Sequence, residues 1–307
     1  MIFTTIGFIS TNLTLVFLAN FVSTKKNIKV EKSKIWYITG ASKGIGRSLV
    51  EQLLAKGNSV AATSRNISAL QEIVGANDHF LPLQVDLTNE QSIAKSLKQT
   101  IRAFGKIDVV VNNAGYGIGG AIEELSAQEI NDNFNINFFA VVKVIQQALP
   151  YLRNQRAGHI INISSIAGFA PGLGWSMYSA AKFAVTGLSE ALVNDLKPLG
   201  IKATAVLPGL FRTSFAKPDS IAFSKKQLAD YGFLRTAHQK MNEIDGKQLG
   251  NPDQVATVFI ELVNNPNPPA ILFLGSDAQK RANEKIAQLS QEIEDWKHLS
   301  SSTDFQF

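Results

Sequence analysis

A chain of 307 residues, 45% hydrophobic and only 18% charged, is long and apolar enough for one large domain with a sizeable core, with disorder expected only at its ends. It has no cysteine, which excludes disulfides, thiolate metal sites and a cysteine nucleophile; its four histidines (His79, His159, His238, His298) are scattered without ligand spacing, so no metal is expected. The net charge of +5 is spread along the chain except between Lys25 and Lys34, and no basic patch or motif for nucleic acid is present.

Residues 1–24 (MIFTTIGFISTNLTLVFLANFVST) carry no charge, and Lys25, Lys26, Lys29, Lys32 and Lys34 follow. The length matches a bilayer span of about 20 apolar residues, and the lysines would keep the following domain in the cytoplasm. The many Thr, Ser and Asn residues make insertion marginal. A secretory signal fits poorly, because the start lacks positive charge and no small-x-small cleavage site follows. Three readings stand: a membrane anchor, a flexible or surface-packed extension, and a misassigned start. Residues 1–33 are therefore set apart from a domain over 34–307.

The stretch KIWYITGASKGIGR (34–47) opens that domain. IWYIT reads as a buried strand near 35–39, three glycines (Gly40, Gly44, Gly46) follow, and a helix near 45–56 runs to Gly57. Strand, glycine turn, helix is the context of a dinucleotide site. The glycines let backbone approach a pyrophosphate, and the helix N-terminus offers free N–H groups and partial positive charge. Further strands are predicted near 58–63, 80–85, 107–111, 159–164, 201–206 and 270–274, and helices near 67–74, 89–104, 127–152, 178–196 and 252–264. Such alternation implies βαβ units and a doubly wound parallel sheet of about seven strands, an α/β fold in a single domain. In such a sheet, ligands sit at the carboxyl ends of the strands. Gly40, Asp86, Asn112, Ser165 and Pro208 all stand at or just past those ends.

The second strand ends in Ser64-Arg65, without the acid that holds a ribose 2′-hydroxyl. Arg65 can pair with a phosphate through two N–H groups, and Lys43 adds charge nearby. We read NADP(H); the alternative is two ordinary surface cations. Farther on, Ser165 closes the strand near 159–164. Tyr178 and Lys182, four apart, share one face of the helix near 178–196. An ammonium beside a phenol is expected to lower its pKa from about 10 toward the range of proton exchange. Taken alone, a tyrosine four residues before a lysine is a weak signal.

Together these residues resemble the short-chain dehydrogenase/reductase family. TGASKGIG (39–46) resembles its glycine motif, which implies cofactor contacts at Gly40, Ser42, Lys43, Gly44, Ile45 and Gly46. Asp86-Leu87 is similar to the acidic position facing the adenine. NNAG (112–115) is similar to the motif closing strand four, with Asn113, Ala114 and Gly115 at the cofactor. Asn137 in INFFA resembles the helix asparagine, which implies a held water linking Lys182 to solvent. Ser165, Tyr178 and Lys182 resemble the catalytic residues. Pro208, Gly209 and Thr213 resemble the segment after strand six. The matches are colinear over about 34–275. They imply a Rossmann-like fold and hydride transfer between a nicotinamide and a carbonyl or alcohol, with Tyr178 as proton donor, Ser165 on the substrate oxygen and Lys182 on the nicotinamide ribose.

The resemblance is nearly silent on substrate. Residues 210–250 are read as a lid, and Phe169, Pro171, Leu173, Trp175 and Met177 as an apolar wall for a hydrophobic carbonyl or alcohol, half of which could simply pack against the lid. Other functional readings are a nucleotide-binding regulator without turnover and a membrane-tethered interaction protein. A homodimer, or a tetramer built from it, is expected because Phe134, Phe138, Val141, Val142, Ile145 and Leu149 exceed what one buried face needs. The alternative is that the stripe packs on its own sheet.

Overall fold

The computed structural model describes residues 33–75, 77–217, 220–243 and 245–305. The possible anchor over residues 1–24 lies outside them. The chain divides after Ser33, and the unit Lys34–Phe307 carries all the described elements. Among the described residues no helix is long and apolar enough to cross a membrane.

Strand β1 (Ile35–Ile38) shows why the sheet lies at the centre. Trp36 and Ile38 face one side and Tyr37 the other, and all three are inaccessible to solvent. A strand apolar on both faces must be covered on both. On one side α1 (Gly44–Ala55) brings Leu49 and Leu53, and α8 (Val255–Asn264) brings Phe259. On the other lie Ile93 and Leu97 from α3 (Glu90–Phe104), Val144 from α5 (Ala140–Gln155) and Val185 from α6 (Ser176–Leu196). The polar tips buried with these rings are satisfied. The Trp36 indole N–H donates to Asn58 at 3.2 Å, and the Tyr37 hydroxyl pairs with Ser96 at 2.7 Å.

The remaining strands are β2 (Ser59–Ser64), β3 (Phe80–Gln84), β4 (Val109–Asn112), β6 (Gly158–Ile163), β7 (Ile201–Pro208) and β9 (Ile271–Leu274). They pair in parallel in the order β3-β2-β1-β4-β6-β7-β9. The order runs outward in one direction from β1 to β3 and in the other from β4, so the winding switches between β1 and β4. A crevice opens there at the carboxyl ends of the strands.

The helix expected over 127–152 is not continuous. Helix α4 (Ala127–Phe134), capped by Ser126 with Glu129 reaching back, gives way to a π-helical turn (Asn135–Phe139) before α5. The helix expected near 67–74 is realised as the single turn α2 (Ser68–Gln71). Four elements among the described residues lie outside the predicted set. A small parallel ladder joins β5 (Gly117–Gly119) to β8 (Ile221–Phe223). Helix α7 (Gly232–Asn242) lies in the lid stretch, and the chain continues beyond β9 into a long helix, α9 (Ser276–Ser301). Much of the expected surplus stripe packs inward: Val141 and Ile145 are buried, with Phe138 and Leu149 against the same core. Phe139, on the π-helical turn just before α5, and Phe183 on α6 are exposed.

Candidate active site

The loop between β1 and α1 is shaped by close approach. Gly40 has φ +65°, and a Cβ on it would meet Ala114 Cα at 2.6 Å. Gly46 is packed against Asn113 and the Gly40 carbonyl, whereas a Cβ on Gly44 (φ +60°) would meet only Thr213, at 3.8 Å. The first and third glycines thus serve packing, and the middle one faces open space in front of the helix. Lys43, in extended conformation, precedes α1 and gives it no side-chain cap. The first-turn N–H groups of α1 therefore face that space, with Ser42 and Ile45 on either side of the cap. The donors and the open cradle fit a pyrophosphate.

Asn113 clamps this loop to β4. Its Nδ2 donates to the carbonyls of Thr39 and Gly40, both at 2.9 Å. Thr39 Oγ1 in turn accepts from the backbone N–H groups of Asn113 (3.0 Å) and Ala114 (3.2 Å). Sequence reading passed over Thr39, although it is the first letter of the glycine motif. Gly115 lies where a Cβ would meet Asn137 Oδ1 at 2.6 Å and Lys182 Nζ at 3.3 Å.

Asn137 itself is fully buried on the π-helical turn. Its amide donates to the carbonyls of Tyr116 (2.9 Å) and Asn133 (3.1 Å), and its oxygen accepts from Tyr116 N–H at 3.2 Å. It therefore fixes the backbone just past β4. Such turns place a side chain where a regular helix could not.

Ser165 follows β6 and caps a short helical turn, its hydroxyl accepting from Ala167 N–H at 3.1 Å. Tyr178 and Lys182, one turn apart on α6, are both buried, with the ammonium 5.8 Å from the phenol ring centroid. Burial pushes the Tyr178 hydroxyl up to about 12, and a hydrogen bond with Ser165 offsets this only in part. Burial also brings Lys182 down to about 8. The expected lowering of the phenol by its neighbour is therefore not what the protein shows. Desolvation dominates both groups, and Lys182 Nζ spends a hydrogen bond at 3.0 Å on the Ile163 carbonyl.

The floor beneath these groups was not read from the sequence. Ser164 Oγ donates to the Lys182 carbonyl at 2.8 Å and pairs with Thr186 at 2.8 Å, tying the end of β6 to α6 at Lys182. One layer deeper, Asn112 donates to Asn162, and Asn162 to Ser189. The signal was present as polar residues inside strands that otherwise read as apolar.

The other sequence-predicted residues lie at the carboxyl ends of β2, β3 and β7. Thr213 reaches Gly44, as above. Gly209 N–H donates to the Leu274 carbonyl at 2.9 Å, so Pro208-Gly209 continues β7 along β9. Asp86 turns inward on itself, accepting from Thr88 N–H and hydroxyl at 2.9 and 2.7 Å; those bonds hold its carboxyl below the usual range, with Arg65 and Lys143 adding to the effect. Leu87 packs into the core. Arg65 is exposed past the end of β2 and makes no ion pair among the described residues. Among the described residues no cluster of metal-ligating side chains occurs.

Above Tyr178 stands an aromatic wall. Trp175 meets its ring edge-on at 6.2 Å, and Phe215 lies at 6.3 Å. Phe169, expected in this wall, instead packs on Phe273 at 5.1 Å because α9 draws it down. Beyond Trp175 a cavity of about 340 Å³ is lined by Gly120, Phe223, Ser224, Leu234, Arg235 and His238, among others. The stretch read as a lid is pinned there by Glu124. Its carboxylate accepts from Leu228 N–H (2.8 Å) and Ala121 N–H (3.0 Å) and pairs with Arg235 at 3.1 Å.

The family described as short chain dehydrogenase matches residues 34–222. The chain belongs to the short-chain dehydrogenase/reductase family. A 3-ketodihydrosphingosine reductase of Bacteroides thetaiotaomicron is 40% identical over 238 residues, covering 77% of this chain and 86% of its own length. A short-chain dehydrogenase from Streptomyces avermitilis superposes with a TM-score of 0.81 at 32% identity, covering 89% of this chain and all of that one. ElxO with NADP bound superposes at 0.66 with 25% identity, over 81% and 99% of the two chains; a solved chain of the same fold holds NAD. The chain is an oxidoreductase of this family with a nucleotide-binding fold.

Proposed function

We propose that the chain is an NADP(H)-dependent oxidoreductase interconverting a carbonyl and an alcohol on an apolar substrate, with Tyr178 as proton donor and acceptor. The observation that carries this reading is the meeting of Ser165, Tyr178 and Lys182 at the carboxyl end of β6, beside an open helix N-terminus. NADPH, when bound, supplies hydride to the carbonyl carbon. In this reading the α1 N–H groups, Lys43 and the segment Gly40–Gly46 hold its pyrophosphate. Arg65 meets the 2′-phosphate with no acid at Ser64 to repel it.

Ser165 hydrogen-bonds the substrate oxygen, and Tyr178 gives it a proton. A phenol held near pKa 12 stays protonated at working pH, which suits the reductive direction. Lys182, still cationic at pH 7 with its pKa near 8, stabilises the phenolate left behind. Asn137 holds the backbone at Tyr116 and Gly115 against which Lys182 lies. Trp175 and Phe215 exclude water and favour apolar groups. A relative named as a 3-keto reductase supports carbonyl reduction. The exposed Phe139, just before α5, and Phe183 on α6 support a homodimer through these helices.

The test is an NADPH-oxidation screen over aldehydes, ketones, steroids and quinones, with Tyr178→Phe as control. Turnover that disappears in the control supports the proposal. Tight NADPH binding with no turnover across the panel would replace it with a nucleotide-binding regulator.

A further inference from the structure

Helix α9 leaves the body while its apolar stripe grows. Over 26 residues it is about 39 Å long. Only its first two turns dock: Ala278 and Ala282 are buried against Ile166, Phe169 and Phe273, and Arg281 donates to the Ala170 carbonyl. From residue 286 the helix is exposed through its end. The stripe nevertheless continues through Ile286, Leu289, Ile293 and Trp296, exposed by 48%, 37%, 71% and 64%. Small residues stand where the helix touches the domain, and large apolar ones stand where it does not.

The steps of three, four and three residues are the a/d spacing of a coiled coil. Ile286 and Ile293 fall at a, Leu289 and Trp296 at d. β-Branched residues at a with leucine at d favour a parallel pair of helices. The flanks agree. Glu292 at g and Lys297 at e of a second, parallel helix bring opposite charges together twice across a two-fold axis. A lipid surface fits less well, because the helix carries five acidic and four basic residues and no basic face.

We propose that this seam docks the same seam of a second copy, in parallel, as a two-fold interface separate from α5 and α6. Two such isologous surfaces on one chain would close a tetramer.

The chain has no cysteine, so a single one reports cleanly. Under mild oxidation, full-length Leu289→Cys is expected to form a disulfide-linked dimer. Gln291→Cys, on the opposite face of α9, is expected to remain reduced. Ile293→Glu should halve the mass measured by light scattering while the far-ultraviolet circular-dichroism spectrum of the folded chain is kept, since the side chain is exposed within its own chain. The proposal is overturned if Leu289→Cys stays reduced, if Gln291→Cys links as fast, or if Ile293→Glu leaves the mass unchanged. Flotation of the full chain with phosphatidylcholine vesicles, abolished by Ile293→Glu, would equally overturn it in favour of a membrane surface.

Discussion

The floor beneath Ser165, Tyr178 and Lys182 and the stretch read as a lid are built by different means. On the floor, Ser164, Ser165, Tyr178 and Lys182 come from β6 and α6, and each hydrogen bond that fixes them spans at most about one βα unit. The lid is held to the body by Glu124, whose partners Leu228 and Arg235 stand more than a hundred residues away. Ser164, Tyr178 and Lys182 are buried, Ser165 is half-buried, and their polar groups face one another. The lid has β8 and α7 half open, with Phe223 and Phe233 exposed. Under the proposed function, the local constellation carries the chemistry and the surface held by a few distant ties meets the substrate.

Perturbing the floor should do most damage. Tyr178→Phe is expected to lower turnover by ~10²–10⁴ while NADPH affinity holds, since the ring keeps its packing and only the proton is lost. Stopped-flow turnover beside fluorescence titration of NADPH decides it; activity within a few-fold of the parent would remove Tyr178 from the reaction.

Lys182 offers a test by stability. Its folded pKa of about 8 lies below the unfolded value of 10.5, so the unfolded chain binds more protons between those limits and stability rises with pH there. Between pH 8 and 10 this one group contributes about 2 kcal/mol of rise. Urea midpoints should show that rise in the parent and lose it in Lys182→Met. Equal pH slopes in the two proteins would mean the ammonium is not desolvated.

At the cofactor end, NADP(H) is expected over NAD(H) by at least about tenfold, since a charge-assisted pair contributes ~1.5–3 kcal/mol. Arg65→Asp should reverse the preference. Equal affinity of the parent for both dinucleotides would refute the assignment of Arg65.

The lid should give the mildest effect. Glu124→Gln keeps one acceptor and loses the charge facing Arg235. We expect KM to rise a few-fold with kcat nearly unchanged, and faster proteolysis near Leu228. A fall in kcat with KM fixed would place Glu124 with the floor and erase the contrast.

The same contrast explains what could be read from the sequence. Strands β1, β4, β6 and β7 announced themselves as apolar runs, and the glycine loop, Ser165, Tyr178 and Lys182 are spelled by short spacings. Asn137 was legible, but its turn was not: INFFA reads as ordinary helix, and only the pairing of Asn137 with Tyr116 requires the π geometry. The direction of the Tyr178 shift was missed because a charge four residues away is visible in a sequence, whereas the depth of its burial is set by Trp175, Phe215 and the sheet. Helix α9 was not predicted: the helices read from the sequence ended at 252–264, although Ile286, Leu289, Ile293 and Trp296 recur at helical spacing.

The π-helical turn at Asn135–Phe139 separates folding from chemistry in an unusual way. Such a turn is an α-helix carrying one residue more than its hydrogen-bond ladder needs. Removing one residue there would let α4 and α5 merge into a single regular rod, with the packing on either side kept. Asn137 would then lose its aim at Tyr116. A shorter chain could thus be the better-folded one and the worse catalyst.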